Sequence, residues 1–121
     1  MTTMDVAKKL VELCKQGKNH EAMETLYAPD IVSVEAREMP GMGAEARGRE
    51  AVFAKGKWWN ENHTVHSATC EGPWPHGDRF IARFTYDVTN KPSGKRFQMD
   101  EVALFTVKND KIVCEEFFYA T

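Results

Sequence analysis

The stretch Arg79-Phe80-Ile81-Ala82-Arg83-Phe84-Thr85-Tyr86-Asp87-Val88-Thr89 decides the fold. Phe80, Ala82, Phe84, Tyr86 and Val88 fall on one face; Arg79, Ile81, Arg83, Thr85 and Asp87 fall on the other. That period of two is the mark of a half-buried strand. Downstream, Asn90 to Gly94 reads as a turn built on Pro92-Ser93-Gly94. Arg96 to Val107 is a further strand, Asn109-Asp110 a second turn, and Ile112 to Tyr119 the last strand. Upstream, His76-Gly77-Asp78 is a tight turn, and Gly72-Pro73-Trp74-Pro75 breaks a strand that starts at Thr64 and runs to Glu71.

N-terminal to Thr64 the period is 3.6. Residues 4–16 predict an amphipathic helix, with Val6, Leu10 and Leu13 on one stripe and Lys8, Lys9, Glu12 and Lys15 toward water. Gly17 stops it. A short second helix follows Asn19, with Ala22, Met23, Leu26 and Tyr27 apolar, and Pro29-Asp30 ends it. Ile31 to Ala36 is a short strand. Arg37 to Arg47, with Pro40, Gly41 and Gly43, reads as a long loop and a candidate lid. Gly48 to Asn62 is a third helix. Its internal Gly56 costs ~1 kcal/mol relative to Ala, which points to a close packing contact or a kink, the alternative being a glycine that is simply tolerated.

The order α-α-β-α-β-β-β-β puts the chain in the α+β class, as one domain over residues 1–121 with helices on one face of a curved antiparallel sheet. The last two strands carry apolar residues on both faces, so one face awaits a partner subunit.

Composition excludes several classes of function. Of 121 residues, 42% are hydrophobic and 28% charged, with a net charge of −2, so there is no basic block for nucleic acid to recognise. The apolar runs are far shorter than the ~20 residues a membrane span needs. Cys14, Cys70 and Cys114 are odd in number and lack CxxC spacing, which argues against a disulfide framework or a zinc module. With no signal-peptide pattern at Met1–Asp5, the expectation is a cytoplasmic protein whose cysteines act as small hydrophobes.

Three landmarks carry a resemblance: Gly48-Arg49-Glu50-Ala51 opening the third helix, His76-Gly77-Asp78-Arg79-Phe80 opening the long strand, and Phe105-Thr106-Val107-Lys108-Asn109-Asp110-Lys111-Ile112 at the last hairpin. In this order the chain resembles the nuclear transport factor 2-like superfamily and, within it, the SnoaL-like domain proteins. The resemblance implies a cystatin-like α+β fold, a cone-shaped barrel whose bent sheet wraps the long helix around a pocket. It also implies a homodimer through the outer sheet face. It leaves activity open, because the superfamily holds ketosteroid isomerase, polyketide cyclases, limonene epoxide hydrolase, scytalone dehydratase and proteins without known activity.

The ketosteroid isomerase set is not reproduced. Its aspartate base would fall in Val34-Glu35-Ala36, with Ala36 the best match. Its tyrosine would fall near Leu10, in a helix that has none. Its acid would fall at Ala103, or at Glu101 if the register slips. No placement of Asp87, Asp100, Arg79 and Arg83 reproduces the Asp-Arg-Asp network of the epoxide hydrolase.

The register implied by the resemblance turns Met99, Glu101, Ala103 and Phe105 inward. A three-residue loop Lys108-Asn109-Asp110 would set Ala103 opposite Glu115 and Glu101 opposite Phe117, turning Val113, Glu115, Phe117 and Tyr119 inward as well. A two-residue loop would instead send Glu115 outward. In the first case Glu101 and Glu115 share an apolar pocket with Trp59, Phe84, Tyr86, Met99, Phe117 and Tyr119, where burial suits a carboxyl for acid/base work. Alternatively, either glutamate pairs with Arg79, Arg83 or Lys111. His63 is a further candidate base, or a cap for the third helix. His63 and His66 straddle a helix-to-strand change and lack the spacing of metal ligands. No metal or cofactor is expected.

The expected function is therefore that of a pocket protein for a small apolar or ring-containing molecule. It is an enzyme of isomerase, cyclase, dehydratase or hydrolase type using Glu101, Glu115 or His63, or else a non-catalytic ligand-binding or dimerisation module of the same fold.

Overall fold

Thr2 caps the first helix. Its hydroxyl accepts from the Asp5 backbone N–H at 3.2 Å, and the Asp5 carboxylate accepts from the Thr2 N–H at 2.9 Å. This reciprocal box starts α1 (Thr3–Lys15) and holds the Asp5 carboxyl below its usual range. Gly17, at φ +74°, ends it, with the Lys18 N–H closing back on the Leu13 carbonyl at 2.8 Å. The computed structural model describes residues 1–39, 41 and 43–120.

The order continues as α2 (Asn19–Leu26), β1 (Tyr27–Met39), β2 (Gly43–Arg47), α3 (Arg49–Asn62), β3 (His63–His76), β4 (Arg79–Asn90), β5 (Arg96–Lys108) and β6 (Lys111–Phe118). The strands form one curved, unclosed sheet in the order β2-β1-β6-β5-β4-β3. The three helices cover its inner face, which confirms the α+β class. The core lies between them: Val6, Leu10, Leu26, Ile31, Val52, Ala82, Ala103 and Ile112 are fully buried. Phe80 and Phe105, cross-strand partners, stack there with centroids 4.8 Å apart.

Three expectations are corrected. The sheet is mixed, because β1 runs parallel to β6 while the other pairs are antiparallel. A strand paired with one so distant in sequence is not bound by hairpin geometry. The segment expected as a loop and lid is instead the end of β1 and the whole of β2, paired through Val32 with Arg47 and Val34 with Glu45. In β2, half-buried Ala44 and Ala46 alternate with exposed Glu45 and Arg47, a pattern too short to stand out beside the glycines. Pro40 and Met42, part of that expected loop, lie outside the described residues. Finally, β3 does not stop at Glu71. It passes Gly72-Pro73 through an irregularity and pairs again, Trp74 with Ile81. Gly72 makes this possible: its φ is +117°, and a Cβ there would lie 3.0 Å from the Ile81 carbonyl oxygen.

Gly56 in α3 has a milder environment. A Cβ on it would meet the Met23 side chain at 3.5 Å, an ordinary contact, so neither tight packing nor a kink requires glycine there.

Candidate functional site

Three glutamates from three strands come together on the inner face. On β1, Ile31 and Ser33 are fully buried and Glu35 is half-buried, so alternation carries Glu35 inward and leaves Ala36 exposed. On β5, Ala103 and Phe105 are buried, which places Glu101 on the same side, opposite Phe84 of β4. On β6, Glu115 is 4% exposed and lies opposite Phe105.

The inward position of Glu115 has an unexpected origin. The hairpin loop is the two-residue Asn109-Asp110, both at positive φ, and it pairs Lys108 with Lys111 and Val107 with Ile112. By itself that register would turn Glu115 outward. The pairing then slips by one residue at Val113, so Thr106 meets Cys114 and Phe105 meets Glu115. Ile112, not Val113, is the buried residue at the start of the strand. Glu101 consequently has no direct opposite on β6, whose described pairing runs from Val102↔Phe118 to Lys108↔Lys111.

Hydrogen bonds fix two of the three carboxylates. Glu35 accepts from Lys55 Nζ at 2.6 Å through Oε2 and from the Tyr119 hydroxyl at 2.9 Å through Oε1. Glu115 accepts from the Tyr27 hydroxyl. Burial raises its carboxyl pKa, opposed by Tyr27, Lys55 and Ser33. Glu101 has no hydrogen-bond partner among the described residues. Burial first, then the nearby Glu35 and Glu115 carboxylates, push its pKa up to about 7. Burial and the Glu101 charge also raise the Tyr86 hydroxyl, while burial and Glu35 bring Tyr119 to about 12.

Apolar and aromatic groups surround these carboxyls. Phe84 is buried; Trp59, Tyr86, Met99 and Phe117 are half-buried. Trp59 lies 5.6 Å from the Tyr86 ring centroid, so it rather than Trp58 faces this region. Tyr86 stacks parallel to Phe84 at 6.3 Å. Two open surface depressions lie elsewhere, one lined by His20, Phe53 and Lys91, the other between α1 and Gly72-Pro73.

His63 is held as part of the frame. Its Nδ1 donates to the Trp59 carbonyl at 2.8 Å, leaving Nε2 to accept from Asn90 at 3.4 Å, and its ring stacks on Trp59 at 4.5 Å. None of these partners is a carboxylate. Two of the alternative cations are engaged elsewhere: Arg83 forms a bidentate pair with Asp100, and Lys111 donates to the Thr25 carbonyl. Among the described residues, no group of His, Cys, Asp and Glu is arranged to hold a metal ion.

Sequence reasoning did not single out Glu35, Lys55, Tyr27 or Ser33. The β1 alternation from Ile31 through Ser33 is the signal that leads to Glu35. Lys55 stands three residues after buried Val52 and four before Trp59, which places it on the inner stripe of α3.

The SnoaL-like domain family model matches residues 1–119, so the chain belongs to that family. A crystal structure from Mesorhizobium loti, provisionally described as a SnoaL-like polyketide cyclase with carbohydrate phosphatase as a second description, is 50% identical. It superposes with a TM-score of 0.94 over 98% of this chain and 100% of that one. A protein of unknown function with a cystatin-like fold from Xanthomonas campestris is 19% identical, with a TM-score of 0.79 over 100% and 92% of the two chains. A ketosteroid isomerase-like fold from Catenulispora acidiphila, in complex with trimethylamine, is 22% identical, with a TM-score of 0.72 over 98% and 88%. No curated protein matches the chain.

Proposed function

We propose that the protein is a small-molecule enzyme of isomerase, cyclase, dehydratase or hydrolase type, in which Glu101 exchanges a proton with an apolar, ring-containing ligand. The observation that carries this reading is Glu101 itself: an inward carboxyl with no hydrogen-bond partner among the described residues, poised at about 7 beside aromatic side chains. A group titrating near the working pH is present in both the acid and the base form, which suits general acid/base chemistry. Trp59, Phe84, Tyr86, Met99 and Phe117 supply the apolar contacts, and Tyr119 a hydroxyl near Glu35. Glu115 supports the site from beneath as the Tyr27 partner. His63 belongs to the frame.

The Mesorhizobium loti relative's description as a polyketide cyclase supports a ring-forming or ring-binding substrate. A phosphate ester fits less well. Glu35, Glu101 and Glu115 outnumber Lys55, so a dianion would meet net repulsion.

Ring opening of 5-nitrobenzisoxazole, an uncharged probe that reports proton abstraction in an apolar site, tests the reading. Turnover above the buffer rate, lost in Glu101→Gln with the fold retained, is the expected result. Probe binding detected by Trp fluorescence with no turnover would favour the second reading, a ligand-binding module; absence of both would remove the pocket altogether.

We also propose a homodimer through the outer sheet face. Trp74, Ile81, Leu104, Val102 and Phe118 form neighbouring apolar positions from β3 to β6, and Trp74, Ile81 and Phe118 are 51%, 38% and 50% exposed. The free thiols of Cys14, Cys70 and Cys114 fit a reducing cytoplasm, and among the described residues no helix is long and apolar enough to cross a membrane.

A further inference from the structure

Lys55 is the one ammonium bound into the carboxylate cluster among the described residues. It donates to Glu35 at 2.6 Å and to the Ser33 hydroxyl at 2.5 Å; the ammonium also lies 5.2 Å from the centre of the Phe117 ring. Both members of the Lys55–Glu35 pair are only 12% exposed. Ser33 stands directly opposite Glu115 in the parallel β1–β6 register. The Ser33 hydroxyl and the Lys55 charge help to hold the Glu115 carboxyl down. The hydrogen bonds form two groups, Tyr119–Glu35–Lys55–Ser33 and Glu115–Tyr27, drawn from β1, α3, β6 and the residue beyond β6.

We propose that Lys55 is a positioning residue that binds Glu35 directly and also binds Ser33, the register partner of Glu115, and so leaves Glu101 as the one carboxylate free to exchange a proton with a ligand. The inference rests on reading Glu101 as the reacting group and adds the reason why that glutamate, rather than its neighbours, has the role. Three carboxylates in one apolar region cannot all ionise independently. A single ammonium divides them. Glu35 has a donor on each oxygen. Glu115 is bound by the Tyr27 hydroxyl. Glu101 feels the charge of both without a bond to either. The titratable groups facing it are Glu35 of β1, Lys55 of α3, Tyr86 of β4, Glu115 of β6 and Tyr119, with Cys14 of α1 set behind Tyr86.

Carbon-13 NMR titration of the glutamate side-chain carboxyls in the full chain tests this without a substrate. In Lys55→Met the Glu101 midpoint rises by about one pH unit, because a positive charge is lost beside an intact Glu35. In Lys55→Arg, which keeps the charge, it stays close to the wild-type value. In Glu35→Gln it falls by a similar amount, since one repelling charge goes and the ammonium is released toward Glu101. Should Lys55→Met fail to fold, the isosteric Glu35→Gln carries the test. A Glu101 midpoint that stays at the wild-type value in folded Lys55→Met or in folded Glu35→Gln would overturn the proposal, leaving Lys55 a structural ion pair. These shifts observed alongside a protein inert toward 5-nitrobenzisoxazole would support Lys55 as the organiser of the charges and count against the functional reading alone.

Discussion

Phe105 and Glu115 stand directly opposite each other across β5 and β6, and that pairing delivers a carboxyl side chain to the Tyr27 hydroxyl inside the core. The pairing exists because Val113 is left without a partner between Ile112 and Cys114. One unpaired residue thus decides which face of the sheet receives the glutamate.

Glu101 makes stability depend on pH in a defined direction. Its folded-state pKa, about 7, lies above the ordinary glutamate value, so the native state binds this proton more tightly than the unfolded chain. Its contribution is fully present below the unfolded pKa and is lost as pH rises through about 7. Urea unfolding at about pH 5 and about pH 8 should show wild type losing about 2 kcal/mol more than Glu101→Gln over that interval. Parallel losses in the two proteins would mean that Glu101 is not shifted.

Asp110 sits at φ +67°, beside Asn109 at φ +51°, in the two-residue turn that joins β5 to β6. Asp110→Gly relieves a left-handed residue at the loss of one exposed contact with the N-terminal amine. A gain of about 0.5 kcal/mol in thermal or urea unfolding is expected. A clear loss would show that the contact with the terminus outweighs the backbone term.

Gly56 offers a second gain. With its Cβ position 3.5 Å from the flexible end of Met23, Gly56→Ala adds helix propensity without a clash. It should stabilise by about 0.5–1 kcal/mol in urea unfolding. Destabilisation would reveal a packing demand between α3 and α2 that the spacing does not show.

The outer apolar face should bring two chains together. Sedimentation at micromolar concentration is expected to give a species of twice 13.8 kDa, and Ile81→Asp with Phe118→Asp to give the single chain. A wild-type protein that sediments only at 13.8 kDa rejects the dimer.

Much of the frame was legible because its signals are local. The alternation over Arg79–Thr89 requires a strand with Phe84 and Tyr86 inward, while the inward placement of Glu101 came from the register that the family resemblance implies. What escaped depends on partners distant in sequence. Lys55 looks like any solvated helix lysine until Glu35 is placed beside it across 20 residues of chain. The match of Ala36 to a catalytic position followed the resemblance rather than the Ile31–Ser33–Glu35 alternation, which leads to Glu35. The unpaired Val113 has no local signature. It compensates for the two-residue turn, so the inward placement of Glu115 arises from two departures from the expected hairpin that cancel.

The pH–rate profile of 5-nitrobenzisoxazole ring opening tests the central claim most directly, because the base must be ionised to abstract the proton. The account predicts a rate that rises with pH to a plateau, with a midpoint near the Glu101 value of about 7, and a Glu101→Gln protein that stays at the buffer rate throughout. A wild-type profile with its midpoint at the ordinary glutamate value of about 4.3, or a rise near neutrality that persists in Glu101→Gln, would contradict it.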